Sequence, residues 1–271
     1  MMDVRMGRKL TRRSGGGNWL AVSAVQNPSG TVAGSTRWFY DLLIRRPRAR
    51  AAIMTHTGRR MARAGSERRV PARPASEVQA ATGELGRYLR RSARTIGWSV
   101  GLIWGVGAAN LLLFAGSLNA FGIVPRTVHG LIGIPLAPLL HGGVFHLISN
   151  TVGMVLLGGL VILREERHFW VVTLSAAMLG GLGVWAFGRP AVHIGISGVV
   201  FGYLGYLLLT GWFERRFGSI LLSVAAFLLW APMLLGVLPV QVGVSWESHL
   251  FGFGSGALAA WWLARRRRKT A

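Results

Sequence analysis

The chain has 271 residues, of which 51% are hydrophobic and only 15% are charged, yet its formal net charge is +22. Soluble domains carry about 25% charged residues, so this composition excludes an ordinary soluble domain. No cysteine is present, which excludes disulfide frameworks, thiolate metal sites and cysteine nucleophiles.

Residues 1–94 form a strongly basic segment, with 20 of the 31 Lys and Arg and five of the nine acidic residues, a net charge of +15. The segment is rich in Arg, Gly, Ser and Pro and has too few apolar residues for a core. We therefore predict a disordered cytoplasmic tail. Because nothing upstream indicates a folded unit, a translation start at Met54 or Met61 is an alternative interpretation.

The end of this tail, residues 77–94, has helical spacing. Leu85, Tyr88 and Leu89 fall on one helix face among four arginines. Either an amphipathic helix on anionic lipid or a solvated charge run fits this pattern. We expect no nucleic-acid partner, because no aromatic-interleaved or zinc-binding module accompanies the arginines.

Residues 95–264 predict a membrane domain, which a short basic C-terminus follows at 265–271. A spanning helix needs about 20 apolar residues, and six such runs occur, at 97–117, 146–163, 169–187, 197–213, 219–237 and 247–264. Nine Lys or Arg fall on one side of these runs, whereas only Arg126 and Arg189 fall on the other. The positive-inside rule then predicts that both termini are cytoplasmic. We expect an integral protein of the bacterial plasma membrane.

The first loop, residues 118–145, has a single charge and many apolar residues. Pro125, Pro135 and Pro138 argue against one continuous helix there. We expect the loop to dip into the membrane edge and to pack against the bundle, because non-helical backbone at membrane depth must be buried in protein or reached by water.

Few polar side chains interrupt the apolar runs, and each is a functional candidate because a polar group inside a membrane is costly. We interpret Asn110, which has no polar neighbour in its own run, as a contact between helices. The second, fourth and sixth runs all lead from the outside to the inside. Their first residues therefore share one depth just below the outer surface, where His146, Asn150, Ser197 and His249 meet.

These four residue types can support acyl transfer. Ser197 lies in Gly195-Ile196-Ser197-Gly198, where small neighbours leave its hydroxyl accessible. An imidazole such as His249 can take the hydroxyl proton near neutral pH. His146 and Asn150, four positions apart on one helix face, could hold a developing oxyanion together with the Ser197 backbone N–H. His193 lies in a loop, where we expect it to be solvated.

In combination, three motifs resemble the rhomboid family of intramembrane serine proteases. They are His141-x4-His146-x3-Asn150, Gly195-Ile196-Ser197-Gly198 and Ser248-His249-x2-Gly252-x3-Gly256. The resemblance covers residues 97–264 and implies an all-α polytopic membrane protein, a six-transmembrane-helix rhomboid-like bundle with a membrane-embedded first loop.

The resemblance also implies the roles of the site residues. Ser197 and His249 would form a catalytic dyad near the outer face, and His146 and Asn150 an oxyanion site. Phe201 stands where the family often has a tyrosine that stacks on the catalytic imidazole. Glu247 matches no catalytic position, so we expect it to face the aqueous loop. The implied partners are transmembrane protein substrates and the lipid bilayer, with no metal or other cofactor; no oligomeric state is indicated.

Other classes of membrane protein fit less well. An aspartyl intramembrane protease needs two membrane aspartates, but Asp3 and Asp41 both lie in the tail, and a zinc protease needs a His-Glu-x-x-His helix, which is absent. A transporter favours polar groups at mid-membrane and matching halves. The main alternative is a non-catalytic rhomboid-like protein that binds transmembrane clients.

Overall fold

The structure is a computed structural model that describes residues 75–240 and 243–269. Those residues form a helical bundle in which we find no strand. The helices are α1 (Ala75–Phe114), α2 (Val128–Leu136), α3 (Val144–Arg164), α4 (Glu166–Phe187), α5 (Ser197–Glu214), α6 (Phe217–Trp230) and α7 (Trp246–Lys269).

Helix α1 is longer than its apolar run. Its 40 residues would extend about 60 Å, twice the thickness of a bilayer core. Residues 77–94 are therefore the first half of α1 and not a separate surface helix. The Arg91 guanidinium pairs with Glu166 at 2.9 Å, and the Tyr88 hydroxyl donates to the Ile162 carbonyl. The rest of the predicted tail, with Met54 and Met61, lies outside the described residues.

The outer surface of the bundle is apolar. Four helical segments are long and apolar enough to cross a membrane: Gln79–Phe114, Val144–Arg164, Glu166–Phe187 and Phe217–Val237. Large apolar side chains such as Leu112, Phe145 and Leu228 stand exposed on the described surface. Apolar surface this extensive is typical of lipid contact. The chain is therefore an integral membrane protein.

Helix α5 lies at the centre of the bundle and packs on α7 through glycines. Almost every residue from Val199 to Leu207 is fully buried. A Cβ placed on Gly252 would lie 2.0 Å from the Gly198 carbonyl oxygen, and one on Gly256 would lie 1.9 Å from the Gly202 carbonyl oxygen. The two backbones are thus in direct contact, as small residues allow in membrane helices.

The first loop packs against α4, as expected. It consists of two 3₁₀ turns, Ser117–Phe121 and Ala137–Leu139, on either side of α2, and Ile134 of α2 is buried against Val184 of α4. The Arg126 N–H also donates to the Trp185 carbonyl at 2.9 Å. The loop is therefore a fixed part of the bundle.

The interpretation of Asn110 as a contact between helices is wrong. Its side chain instead holds the turn that follows α1: Nδ2 donates to Asn119 Oδ1 at 2.9 Å, and Oδ1 accepts from the Leu118 N–H at 3.0 Å. Asn119 Nδ2 in turn donates to the His141 carbonyl at 3.2 Å. The sequence showed no polar partner because Asn119 lies outside the apolar run.

A buried ionic cluster joins the opposite end of the bundle. Arg164 at the end of α3 pairs with Glu214 at the end of α5, and Ser219 of α6 donates to the same carboxylate at 2.5 Å. Arg267 of α7 approaches Glu214 at 3.8 Å. Because the Arg164 and Glu214 side chains are only 8% and 3% exposed, breaking this pair would leave a buried charge without its nearest partner.

Candidate active site

Helices α3, α5 and α7 begin at one end of the bundle, and the candidate residues lie there. Ser197 is the first residue of α5 and is half-buried. Two residues earlier, Gly195 has a φ of +107°, a conformation that disfavours any side chain. Its N–H donates to the Ala137 carbonyl at 2.8 Å. The turn that presents Ser197 is therefore tied to the first loop.

The His249 ring is buried and held on two sides. It stacks on the Phe201 ring with 4.0 Å between centroids and 9° between planes. Its Nδ1 lies 2.8 Å from the Gly236 carbonyl oxygen, in the 3₁₀ turn Ala231–Val237 that continues α6. A carbonyl can only accept, so Nδ1 carries the proton and, in a neutral ring, Nε2 is left as the acceptor.

Ser197 and His249 belong to adjoining helix faces. Phe201 follows Ser197 by four positions and so lies on the same face of α5. Because the His249 ring stacks on Phe201, the imidazole lies on the face that carries Ser197. The close contact of Gly252 with the Gly198 carbonyl holds the two helices together beside these side chains.

His146 and Asn150 of α3 surround Gly195. A Cβ placed on Gly195 would lie 2.7 Å from His146 Nε2 and 3.4 Å from Asn150 Nδ2. His146 Nδ1 accepts from the Gly142 N–H at 3.3 Å, so Nε2 carries the proton of a neutral ring. Asn150 Nδ2 is buried and has no hydrogen-bond partner among the described residues. Two N–H donors are thus placed next to the turn before Ser197.

His141 supports His146 from the first loop. The two rings meet edge to face at 5.2 Å between centroids. Burial, together with the neighbouring His146, lowers the pKa of His141 to about 4. The His141 ring is therefore neutral at pH 7 and places no positive charge beside His146.

Comparison with known proteins identifies the family. A model of the Rhomboid domain matches residues 125–266. The chain belongs to the rhomboid family. An uncharacterized protein of Mycobacterium tuberculosis is 36% identical to this rhomboid over 189 residues, which are 61% of this chain and 79% of that protein. RHOMBOID-like protein 1 of Arabidopsis thaliana is 33% identical over 129 residues, 44% of this chain and 31% of that protein.

The five side chains that the sequence nominated lie on three helices: Ser197 and Phe201 on α5, His249 on α7, and His146 and Asn150 on α3. The structure stacks His249 on Phe201 and places His146 and Asn150 beside Gly195, two residues before Ser197.

Two expectations for neighbouring residues were wrong. Glu247 and His193, which we expected in water, are each only 2% exposed. Glu247 accepts from the Arg189 N–H at 3.3 Å, and His193 contacts Ser245 at 2.6 Å. Both are buried because the loop at 188–196 folds back over the beginning of α7, which no local pattern indicates.

Sequence reasoning also missed Gly236. Its contribution is a backbone carbonyl, which has no signature among side-chain motifs. The one available signal is the residue type: a Cβ at this position would lie 2.7 Å from Phe201 Cζ and 3.2 Å from His249 Nδ1. Only glycine lets the turn approach the two stacked rings.

Proposed function

We propose that this rhomboid is an intramembrane serine protease that hydrolyses peptide bonds in or near transmembrane segments of other membrane proteins. Ser197 is the nucleophile and His249 the general base, without an acidic third residue. The observation that carries this proposal is the arrangement of the His249 ring: Phe201 supports its face, and the Gly236 carbonyl holds Nδ1 at 2.8 Å. With the proton on Nδ1, Nε2 of the neutral ring is unprotonated, and we assign this nitrogen as the base for Ser197.

The Gly236 carbonyl would do part of the work that an aspartate does in a catalytic triad. An acceptor on Nδ1 selects the tautomer that has a basic Nε2 and holds the ring in orientation. A neutral carbonyl stabilises an imidazolium less than a carboxylate does, but the desolvation cost of a buried carboxylate is absent. A neutral carbonyl partner for Nδ1 therefore suits a Ser–His dyad that lies within a membrane.

The reaction then proceeds in two halves. Ser197 Oγ attacks the peptide carbonyl carbon while His249 Nε2 takes its proton, and the tetrahedral intermediate carries the negative charge on oxygen. Collapse expels the amine, which takes the proton from His249, and leaves an acyl ester on Ser197. Water attacks this ester with His249 as base, and the carboxylic acid leaves as Ser197 recovers its proton.

The oxyanion of each tetrahedral intermediate needs donors that are already in position. We assign this role to His146 Nε2–H, Asn150 Nδ2–H and the Ser197 backbone N–H. The buried Asn150 Nδ2 supports the assignment, since a donor without a partner among the described residues costs free energy unless a ligand satisfies it. Residues Ser197 and Gly198 also lie in the first turn of α5, where backbone N–H groups have no intrahelical acceptor.

We further propose that six helices, α1 and α3 to α7, cross the bilayer, with α2 and its flanking turns at the membrane edge. Helix α5 has 18 residues, about 27 Å of helix, which is close to the bilayer core thickness. The basic end of α7, Arg265 to Lys269, would lie in the cytoplasm, and the active site near the outer face. This orientation gives both termini a cytoplasmic location.

Cleavage in proteoliposomes tests the proposal. The purified protein should cut a model substrate whose transmembrane segment contains helix-destabilising residues, and Ser197→Ala and His249→Ala should each abolish the cut. Ser99→Ala and His129→Ala are matched controls, because among the described residues Ser99 bonds only within α1, and His129 bonds to the Ala120 carbonyl in the first loop. Both controls should cut at the unmodified rate.

Persistent cleavage by either Ser197→Ala or His249→Ala would contradict the dyad. A protein that binds the substrate in a co-purification assay but never cuts it would instead favour the non-catalytic alternative.

A further inference from the structure

A chain of partly buried hydrogen bonds connects the loop before Ser197 with the beginning of the helix that carries His249. His193 Nδ1 lies 2.6 Å from Ser245 Oγ, and Ser245 Oγ lies 2.7 Å from Ser248 Oγ. His193 precedes Ser197 by four residues, and Ser245 precedes His249 by four. We call His193, Ser245 and Ser248 the polar latch.

The direction of each hydrogen bond in the polar latch follows from the one acceptor that is fixed. His193 Nε2 contacts the Arg189 carbonyl at 3.1 Å, so Nε2 donates and Nδ1 accepts. Ser245 then donates to His193 and accepts from Ser248. Burial lowers the pKa of His193, so the ring is neutral and this pattern is complete at neutral pH.

Two further contacts strengthen the same junction. Arg189 Nη2 donates to the Val244 carbonyl at 2.6 Å, and the buried Glu247 carboxylate accepts from the Arg189 N–H at 3.3 Å. The His193 backbone also pairs with Ile123, with N···O distances of 3.0 and 2.9 Å. His193 is therefore attached to the first loop by its backbone and to α7 by its side chain.

The glycine contact between α5 and α7 does not by itself fix the position of one helix relative to the other. Gly198 and Gly252 bring the helices together, but two surfaces without side chains offer little resistance to sliding or rotation. A directional polar chain sheltered from water does resist both. Catalysis depends on the distance between two groups that stand on these different helices.

We propose that His193, Ser245 and Ser248 are positioning residues whose hydrogen bonds fix the distance between Ser197 and His249. This proposal rests on the protease function proposed above. A displacement of about 1 Å in an active site can lower the rate by about 100-fold. Disruption of the polar latch should therefore lower kcat by about 10- to 100-fold and leave KM within about twofold, because a positioning residue acts through the catalytic groups and not through the substrate.

His193→Asn and His193→Gln form a matched pair of test variants. The Asn amide lies where Nδ1 lies and can keep the bond to Ser245, whereas the Gln amide lies nearer to Nε2 and keeps the bond to Arg189. Ser245→Ala removes the hydroxyl and Ser245→Thr retains it. Ser255→Ala is the control on α7, because this buried serine bonds only to the Phe251 carbonyl of its own helix.

Two rates should be measured for each variant in proteoliposomes: cleavage of the model substrate, with kcat and KM, and labelling of Ser197 by a fluorophosphonate. The labelling rate reports the reactivity of Ser197 without a transmembrane substrate. We expect His193→Gln and Ser245→Ala to lose both rates, His193→Asn and Ser245→Thr to recover most of them, and Ser255→Ala to match the unmodified protein. If the Ser245 or His193 variants fail to fold, Ser248→Ala provides a milder test. It removes only the hydroxyl that donates to Ser245 and should still lower kcat.

Unmodified rates in His193→Gln and Ser248→Ala would overturn the polar latch. Equal losses of both rates in His193→Asn and His193→Gln, accompanied by a lowered unfolding temperature, would show that His193 only stabilises the fold. That result would also overturn the polar latch. An unmodified protein that neither cuts nor labels at Ser197 would instead overturn the proposed function itself.

Discussion

The contact between Gly252 and Gly198 makes a quantitative prediction about catalysis. A Cβ on Gly252 would lie 2.0 Å from the Gly198 carbonyl oxygen, whereas real Cβ contacts essentially never fall below 3.0 Å. Gly252→Ala must therefore move α5 and α7 apart by about 1 Å. Gly254, two residues later on α7, has nothing within 4 Å of the same added atom. Gly254→Ala is thus a matched control on the same helix.

The expected magnitudes separate activity from stability. Overpacking a well-packed contact costs about 1–3 kcal/mol, and the gain in helix propensity from Gly to Ala offsets about 1 kcal/mol of this. The net loss of stability should therefore be about 0–2 kcal/mol. Because His249 begins the same turn of α7, the displacement should lower cleavage by about 100-fold. Gly254→Ala should keep its rate and gain up to about 1 kcal/mol of stability.

Initial cleavage rates in proteoliposomes, measured together with thermal unfolding followed by tryptophan fluorescence, provide the assay. The chain has 11 tryptophans, so no label is needed. A Gly252→Ala protein that unfolds at the normal temperature and cuts at the normal rate would refute the reasoning. Equal losses of activity in Gly252→Ala and Gly254→Ala would also refute it, because only one of these positions is crowded.

Three further predictions follow from the described contacts. Gly236→Ala should lower the cleavage rate by tenfold or more, because the added Cβ would lie 2.7 Å from Phe201 Cζ and would displace the carbonyl that orients His249. A cleavage rate at the unmodified level would remove this carbonyl from the mechanism. His146→Ala and Asn150→Ala should each lower kcat by about 10²–10³-fold with little change in KM, and unchanged kinetics in both would remove their oxyanion role. Arg164→Ala should destabilise the fold by up to about 3–5 kcal/mol in thermal unfolding, because the buried Glu214 loses its nearest cation and keeps only Ser219 and the more distant Arg267. Arg91→Ala, whose side chain is 74% exposed, should cost at most about 1 kcal/mol; equal costs would contradict the importance of burial.

Most helix positions could be predicted because apolar run length and membrane thickness are directly linked. The predicted run at 146–163 corresponds to Val144–Arg164, and that at 197–213 to Ser197–Glu214. The predicted beginning of the first helix was wrong: α1 starts at Ala75 instead of near residue 97. Apolarity marks only the part of a helix within the membrane, and the helical spacing at residues 77–94 did not show that both segments form one helix.

The candidate site residues could be nominated for a similar reason. Few polar residues interrupt the apolar runs, so Ser197, His249, His146 and Asn150 stand out by residue type and by depth. The buried state of His193 and Glu247 could not be predicted, because it depends on the path of the loop at 188–196. The partner of His249 could not be predicted either, since Gly236 contributes only its backbone.

Reaction of the unmodified protein with a fluorophosphonate, followed by peptide mass mapping, tests the Ser197–His249 dyad most directly. The reagent phosphonylates a serine only when a base activates its hydroxyl. We predict one adduct on the peptide that contains Ser197, lost in Ser197→Ala and in His249→Ala and retained in Ser99→Ala. No adduct on Ser197 in the unmodified protein, or an equal adduct in His249→Ala, would contradict the dyad.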